Sequence, residues 1–245
     1  MISAPDGAPR SFEASIASVG SAAYDGLADE YDAFHAEHPA YYALAADALR
    51  RLLGAGEGRC LDVGCGGGHF LDVPLELGWT PVGIDASEDQ LRIARRRHAD
   101  IELAQADATA LPFADATFDA AFSTFTHTDV DDFSALVREV LRVLRPEARF
   151  VYVGNHPCFV GATQEHLDTG GPLLHEGYRR GGRWNAADAP GAGAGGWRAR
   201  LGSFVHLPLG PFLQAFAGFK LERVDELDDG WEYPKTIALA FRKPR

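Results

Sequence analysis

Asp62, Asp85 and Asp107 each end or follow a short apolar run, and the first opens the glycine-rich string DVGCGGG at residues 62–68. A glycine turn directly after a strand and before a helix is the setting a nucleotide fingerprint requires. Gly64 permits the tight turn, Gly66 lets backbone approach a ligand with no Cβ in the way, and Gly68 allows close entry into the helix. The bland alternative is a plain strand-to-helix connection. Asp85 can accept both hydroxyls of a ribose held by that turn, or cap the next helix; Ser87 already fills the cap role, which frees Asp85. Asp107, followed by Ala108, sits at the same sheet edge and can accept from an exocyclic amine. Asp62 is badly placed beside a pyrophosphate and well placed to receive an ammonium, which favours an adenosine carrying an amino acid. Composition and spacing alone leave a dinucleotide open.

A base of near-neutral pKa would be a histidine. His127 in FTHTDVDD follows the fourth strand, His156 in NHPCF follows the fifth, and His206 in VHLPL follows a glycine-rich excursion; all three are candidates, each also readable as an ordinary loop residue. His69, inside the turn, reads as an exposed side chain at its helix start. His127, Asp129 and His156 lack the spacing that would localise metal ligands on one element, so no metal is expected, and Asp129 reads as the cap of the helix that follows. Phe125, Phe159, Tyr178, Trp184, Phe204 and Phe212 are candidate walls of a substrate chamber, though scattered aromatics are more often core.

The elements that must position these groups follow from periodicity. Tyr24, Leu27, Ala28 and Tyr31 share a helical face, and a second helix after Pro39 turns Tyr42, Ala45, Leu49 and Leu52 inward and ends near Gly54. Strands are expected at 60–63, 81–84, 101–104, 118–123 and 150–153, with helices between, the helix after Asp129 carrying the clearest amphipathic pattern and ending by Pro146. Such alternation signals right-handed crossovers and a parallel sheet. Residues 181–196, GGRWNAADAPGAGAGG, read as a flexible surface loop. A helix near 211–217 and a hairpin of strands 221–227 and 236–241 around Gly230 close the chain. The expected organisation is a tail and helical cover at 1–54, a cofactor-binding core at 55–153, a substrate-lid insertion at 154–207 and a completing helix and two strands at 208–245.

A chain of 245 residues can bury a sizeable core, and its formal charge of -12 disfavours nucleic acid and anionic membrane. Arg95, Arg96 and Arg97 suit the last turn of a helix. No apolar run reaches the roughly 18 residues needed to span a bilayer and no secretion signal opens the chain, so a cytoplasmic location is expected. Cys60, Cys65 and Cys158 have no paired spacing, so no disulfide framework is expected.

The motifs together resemble those of the class I S-adenosylmethionine-dependent methyltransferases, in the branch with the type 11 methyltransferase domain whose common members act on small molecules. The match runs through DVGCGGG at 62–68, GIDAS at 83–87, ADATALPFADATFDA at 106–120 and VREVLRVLRPEARF at 137–150; it is good over 59–153 and loose elsewhere. The resemblance implies an α/β, Rossmann-like sheet of seven mostly parallel strands in the order 3-2-1-4-5-7-6, with an N-terminal helical cover and an insertion after strand five. It implies S-adenosylmethionine as cofactor, with Asp62, Gly64, Cys65 and Gly66 around the methionine part, Asp85 and Ala86 at the ribose and Asp107 with Ala108 at the adenine. Phe125 would lie near the sulfonium, and Tyr24 and Tyr31, in a YDxxAxxYD pattern, would fold over the cofactor. Glu147 and Ala148 stand where the family usually has two glycines, for which a local stability cost is expected. The expected activity is O-methylation of a hydroxyl or carboxyl group in a tailoring role, with N- or C-methylation, a nucleotide-cofactor oxidoreductase and a non-catalytic cofactor-binding protein as alternatives. The expected partner is a small-molecule acceptor, and the enzyme is expected to be a monomer or homodimer.

Overall fold

In a computed structural model, which describes residues 22–166, 172–192, 197–228 and 230–245, the apolar runs become seven strands of one sheet. In chain order the core reads α1 (Ala28–Glu37), α2 (Pro39–Leu53), β1 (Arg59–Val63), α3 (Asp72–Glu76), β2 (Thr80–Asp85), α4 (Glu88–Arg97), β3 (Glu102–Gln105), β4 (Phe118–Thr124), α5 (Phe133–Val143) and β5 (Leu144–Asn155). The excursion contains β6 (Gln164–His166), β7 (Pro172–Leu174), β8 (Gly182–Asn185), α6 (Trp197–Leu201) and β9 (Ser203–His206). It is followed by α7 (Leu209–Ala215), β10 (Lys220–Leu227) and β11 (Thr236–Arg242). The sheet order is β10-β11-β5-β4-β1-β2-β3, which is the expected 3-2-1-4-5-7-6 with β10 and β11 as the sixth and seventh strands. β1 to β5 pair in parallel, and β11 enters antiparallel to both β5 and β10.

The central strands β1, β2, β4, β5 and β11 are buried on both faces because they alternate their side chains between two helical layers, whereas the edge strand β10 is mostly exposed. On β5, Phe150 and Tyr152 pack with Leu136 and Val140 of α5 and Phe212 of α7, whereas Val151 and Val153 pack with Ala45 and Leu49 of α2. So α2 forms a full layer of the core, beyond the covering role expected for it. The end of α5 also differs: Leu144, expected on the helix, already pairs with Phe118 as the start of β5, and the register slips before Ala120 meets Arg149. Pro146 stops a helix by lacking an N–H, and an extended chain accommodates it. Glu147 stands at φ 64°, the left-handed conformation for which glycine is suited, and Ala148 is buried.

The excursion is more ordered than its composition suggests. β8 pairs antiparallel with β9, and Ala162, Trp184, Ala186, Ala189, Ala192 and Phe204 form a small core of their own. Small residues let turns pack closely around two aromatics; in particular, a Cβ on Gly191 would fall 1.8 Å from the carbonyl oxygen of Gly161. Residues 193–196 of the expected loop, and the N-terminal tail before residue 22, lie outside the described residues. Among the described residues no helix is long and apolar enough to cross a membrane.

Candidate functional site

Parallel strands bring their carboxyl ends to one edge, where two of the three acids read from the sequence, Asp62 and Asp85, come together beside the β1 turn, while Asp107 follows β3. The amides of Gly64 and Cys65 both donate to the Ile84 carbonyl, at 2.9 and 2.8 Å, which holds the turn against β2. Gly64 (φ 79°) also lies so close to Thr126 that a Cβ would sit 2.5 Å from its methyl. Asp85 ties the two strand ends together: one carboxylate oxygen accepts from the Gly66 amide at 2.8 Å and the other from the Ser87 amide at 2.9 Å. Ser87 caps α4 as its spacing to Gln90 requires. Gln105 on β3 fixes the carbonyl of Ala86 at 2.9 Å.

Asp62 is fully buried, and neither carboxylate oxygen has a hydrogen-bond partner among the described residues. Burial, followed by the neighbouring charge of Asp85, pushes its pKa well above the ordinary value. An uncompensated buried carboxylate is costly, and a ligand ammonium would supply both charge and donors. The two unpartnered polar atoms of the Gln90 side chain add amide donors and an acceptor nearby, at the head of the same helix. Residues present therefore fit a nucleoside that carries an amino acid. Asp107 is less committed: it is exposed, and its carboxylate accepts from the Thr109 amide and hydroxyl at 2.8 and 2.7 Å, beside half-buried Ala108.

The N-terminal segment docks on this edge. Asp25 accepts from the Ser87 hydroxyl at 2.7 Å, and the Gly26 amide donates to Asp89 at 2.8 Å. Tyr24 lies in the turn before α1, whose helix begins only at Ala28, and its hydroxyl donates to Asp129 at 3.3 Å. Trp197 of α6 packs against Tyr24 (6.0 Å between centroids) and Tyr31 (4.8 Å). The cover and the excursion thus meet through an aromatic cluster over the strand ends.

Beneath that contact lies a cavity of about 880 Å³. Tyr24, Tyr31, Phe34 and Tyr41 line it from the cover, Phe125 and Asp129 from the end of β4, and Trp197, Arg198 and Phe204 from the excursion. Phe125 stands at φ 59°, a strained conformation for a side chain of its size, and is half-buried. Of the expected walls only Phe125 and Phe204 line it. Phe212 is fully buried in the main core, Trp184 belongs to the small core, Phe159 packs on His156, and the Tyr178 hydroxyl accepts from the Leu209 amide.

Asp129 does not cap α5. Asp132 does, accepting from the Ala135 amide at 2.8 Å, because a 3-10 turn over Thr126–Thr128 carries Asp129 toward Tyr24. Burial pushes the Asp129 carboxyl up to about 7, the charge of Asp85 adding to it and Arg198 and the Tyr24 hydroxyl opposing. None of the three candidate histidines lines the cavity. His127 is buried, with Nδ1 2.5 Å from the Tyr152 hydroxyl, and burial drops its pKa to about 3. His156 is engaged at both nitrogens, with Glu226 at Nε2 and the Cys158 amide donating to Nδ1. His206 places Nε2 2.8 Å from the Tyr178 carbonyl. His69 is mostly buried, contrary to expectation: it stacks on His35 at 3.6 Å and bonds Asp32 at 2.8 Å. Sequence reasoning missed Trp197, Arg198 and Tyr41 as lining residues; no periodicity or motif in the glycine-rich stretch marks the first two.

Comparison with known proteins agrees with this geometry. Residues 61–152 match a family model described as a methyltransferase domain. Over 145 residues the chain is 32% identical to a demethylmenaquinone methyltransferase of Renibacterium salmoninarum, an alignment covering 57% of this chain and 60% of that protein. Over 106 residues it is 38% identical to a fatty-acid O-methyltransferase of Mycolicibacterium smegmatis, covering 41% of this chain and 38% of the other. The chain thus spans less than two thirds of the length of these curated relatives. An S-adenosylmethionine-dependent methyltransferase structure from Mesorhizobium loti superposes with a TM-score of 0.65 at 26% identity, covering 81% of this chain and 96% of that one.

Proposed function

Because the chain belongs to the class I S-adenosylmethionine-dependent methyltransferases, in the branch sharing this methyltransferase domain, we propose that it methylates an oxygen of a small molecule held in the aromatic cavity. The observation that carries this reading is the placement of the cavity, whose wall at Phe125 and Asp129 is the end of the strand beside β1 and its glycine turn.

When bound, S-adenosylmethionine supplies a methyl group already activated by its sulfonium. Asp62 would receive its ammonium, Gly64, Cys65 and Gly66 would border its methionine part, Asp85 and Ala86 would take its ribose, and Asp107 with Ala108 its adenine. Tyr24 and Tyr31 would close over it. The remaining task of the protein is positioning, since methyl transfer needs a nucleophile held in line at a near-attack distance of roughly 3 to 3.5 Å. Aromatic walls from the cover and the excursion orient an acceptor and exclude water that would compete for the methyl.

A hydroxyl acceptor must also lose a proton. Asp129 is the group best suited to take it: it lies in the wall, its carboxyl titrates at about 7, and the Tyr24 hydroxyl fixes one oxygen. The three histidines raised by the sequence are the competing bases, each now with a structural partner.

Calorimetry with S-adenosylhomocysteine, followed by transfer of labelled methyl to a panel of alcohols, phenols, acids and amines, tests the proposal. Binding with label appearing in ethers or esters is expected. Folded protein that binds no S-adenosylhomocysteine overturns it, and label found on nitrogen or carbon overturns the choice of oxygen.

A further inference from the structure

Arg198 is the second residue of α6, and it lines the cavity from the excursion. Its residue is only partly accessible, its guanidinium lies 5.0 Å from the centre of the Phe204 ring, and it has no hydrogen bond or ion pair among the described residues. The neighbouring Arg200 instead reaches Glu30 on the cover. The other charged groups of the wall are occupied or open to water. Asp129 holds the Tyr24 hydroxyl, Lys235 lies over the Trp231 ring at 3.0 Å, and Glu37 and Asp228 are exposed.

A guanidinium that gives up water with no hydrogen-bond partner, its charge met only through space by groups such as Asp129, carries a desolvation cost that is offset only in part, and it keeps its charge because it cannot be deprotonated in a protein. Its five donors in a planar fork match a carboxylate in two parallel hydrogen bonds. A neutral acceptor would leave the remaining cost unmet, and a basic amine placed against the fork would meet the repulsion of the guanidinium. Around the fork the wall is aromatic, which suits an acid with an apolar body.

Resting on the functional reading above, we infer that the cavity selects acceptors bearing a carboxylate on an apolar body, and that Arg198 is the residue that recognises the carboxylate. This narrows the substrate class from small molecules in general to apolar carboxylic acids. It also assigns a specificity role to a residue outside the matched methyltransferase domain, which ends at residue 152.

The test compares decanoate with decanamide, which share a body and differ in charge, by calorimetry on the full chain with and without S-adenosylhomocysteine. Wild type is expected to bind decanoate at least about tenfold more tightly, the scale of a buried charge-assisted hydrogen bond. Arg198→Met should bring the two ligands to equal affinity, Arg198→Lys should keep part of the preference, and S-adenosylhomocysteine affinity should be unchanged in both. Unchanged thermal midpoints establish that the variants fold; if Arg198→Met does not, the comparison of wild type with Arg198→Lys carries the test. Equal binding of the two ligands by wild type, binding of neither, or a preference that survives Arg198→Met overturns the inference. So does loss of S-adenosylhomocysteine binding in Arg198→Met, since the guanidinium would then serve the cofactor's own carboxylate. Failure of the functional reading shows differently, as wild type that binds no S-adenosylhomocysteine at all.

Discussion

The Nδ1 atom of His127 and the hydroxyl of Tyr152 stand 2.5 Å apart, joining the 3-10 turn after β4 to β5 inside the main core. Tyr152 also receives the His127 amide at 3.4 Å, so one hydroxyl serves both the ring and the backbone of this turn.

Tyr152→Phe removes that hydroxyl alone and should cost about 1 to 2 kcal/mol by urea denaturation, because it leaves buried groups unpaired. In a His127→Phe background the same change should cost less, giving a coupling of about 1 kcal/mol in a double-mutant cycle. Additive costs would show that the contact contributes nothing specific. The same His127 variant, assayed for methyl transfer, separates this structural role from service as a base.

Asp62→Asn should lower S-adenosylhomocysteine affinity by at least about tenfold, because the neutral amide loses its charge pairing with an ammonium. Without ligand the same variant should melt no lower than wild type at neutral pH. The reason is that the fold raises the Asp62 pKa by burial and so resists the charged form. Unchanged affinity would remove the ammonium from this carboxylate.

Asp129 gives a pH signature whose sign follows from its pKa, which burial raises from 3.8 to about 7. A carboxyl raised in the fold favours the protonated form, so its contribution to stability is complete below about pH 4 and is lost as pH rises to about 7. His127 acts oppositely: with a pKa lowered from 6.5 to about 3, it loses stability as pH falls through that interval. The two overlap in wild type, and the informative quantity is the stability difference between Asp129→Asn and wild type. That difference should move in favour of the variant from about pH 4 to about pH 7 and then level off; a flat difference refutes the assignment.

Glu147→Gly should stabilise the chain by about 1 kcal/mol in thermal or urea unfolding, by relieving a left-handed residue that carries a Cβ. The exposed pairing of its carboxylate with Arg245 at 3.7 Å is worth little against that gain. S-adenosylhomocysteine affinity should not change, since Glu147 lies among the first residues of β5, at the end of that strand opposite Asn155, which lines the cavity. A destabilised variant would mean that the turn depends on the Glu147 side chain.

The nucleotide edge was legible because its logic is local and periodic. A strand followed by a glycine turn and a helix, repeated with right-handed crossovers, forces the strand ends carrying Asp62 and Asp85 to one edge whatever the rest of the chain does. Local chemistry also read Ser87 correctly as a cap. It failed where two residues could do one job. Asp129 and Asp132 are equally able to cap α5, and only the direction of the Thr126–Thr128 turn decided that Asp132 caps while Asp129 faces Tyr24.

By itself, then, the sequence determined the sheet, its glycine turn and the acids at its edge, because these depend on spacing within short segments. The tertiary structure decided which side chains surround an acceptor, because the cavity is made where distant segments cross: Tyr24 from the cover, Asp129 after β4, and Trp197 and Arg198 from the excursion. Histidines that spacing placed at the strand ends turned into packed, hydrogen-bonded groups, and an arginine with no motif around it became a partly accessible cation of the wall with no hydrogen bond or ion pair among the described residues. Burial and partner choice are properties of those crossings, and no periodicity along the chain encodes them.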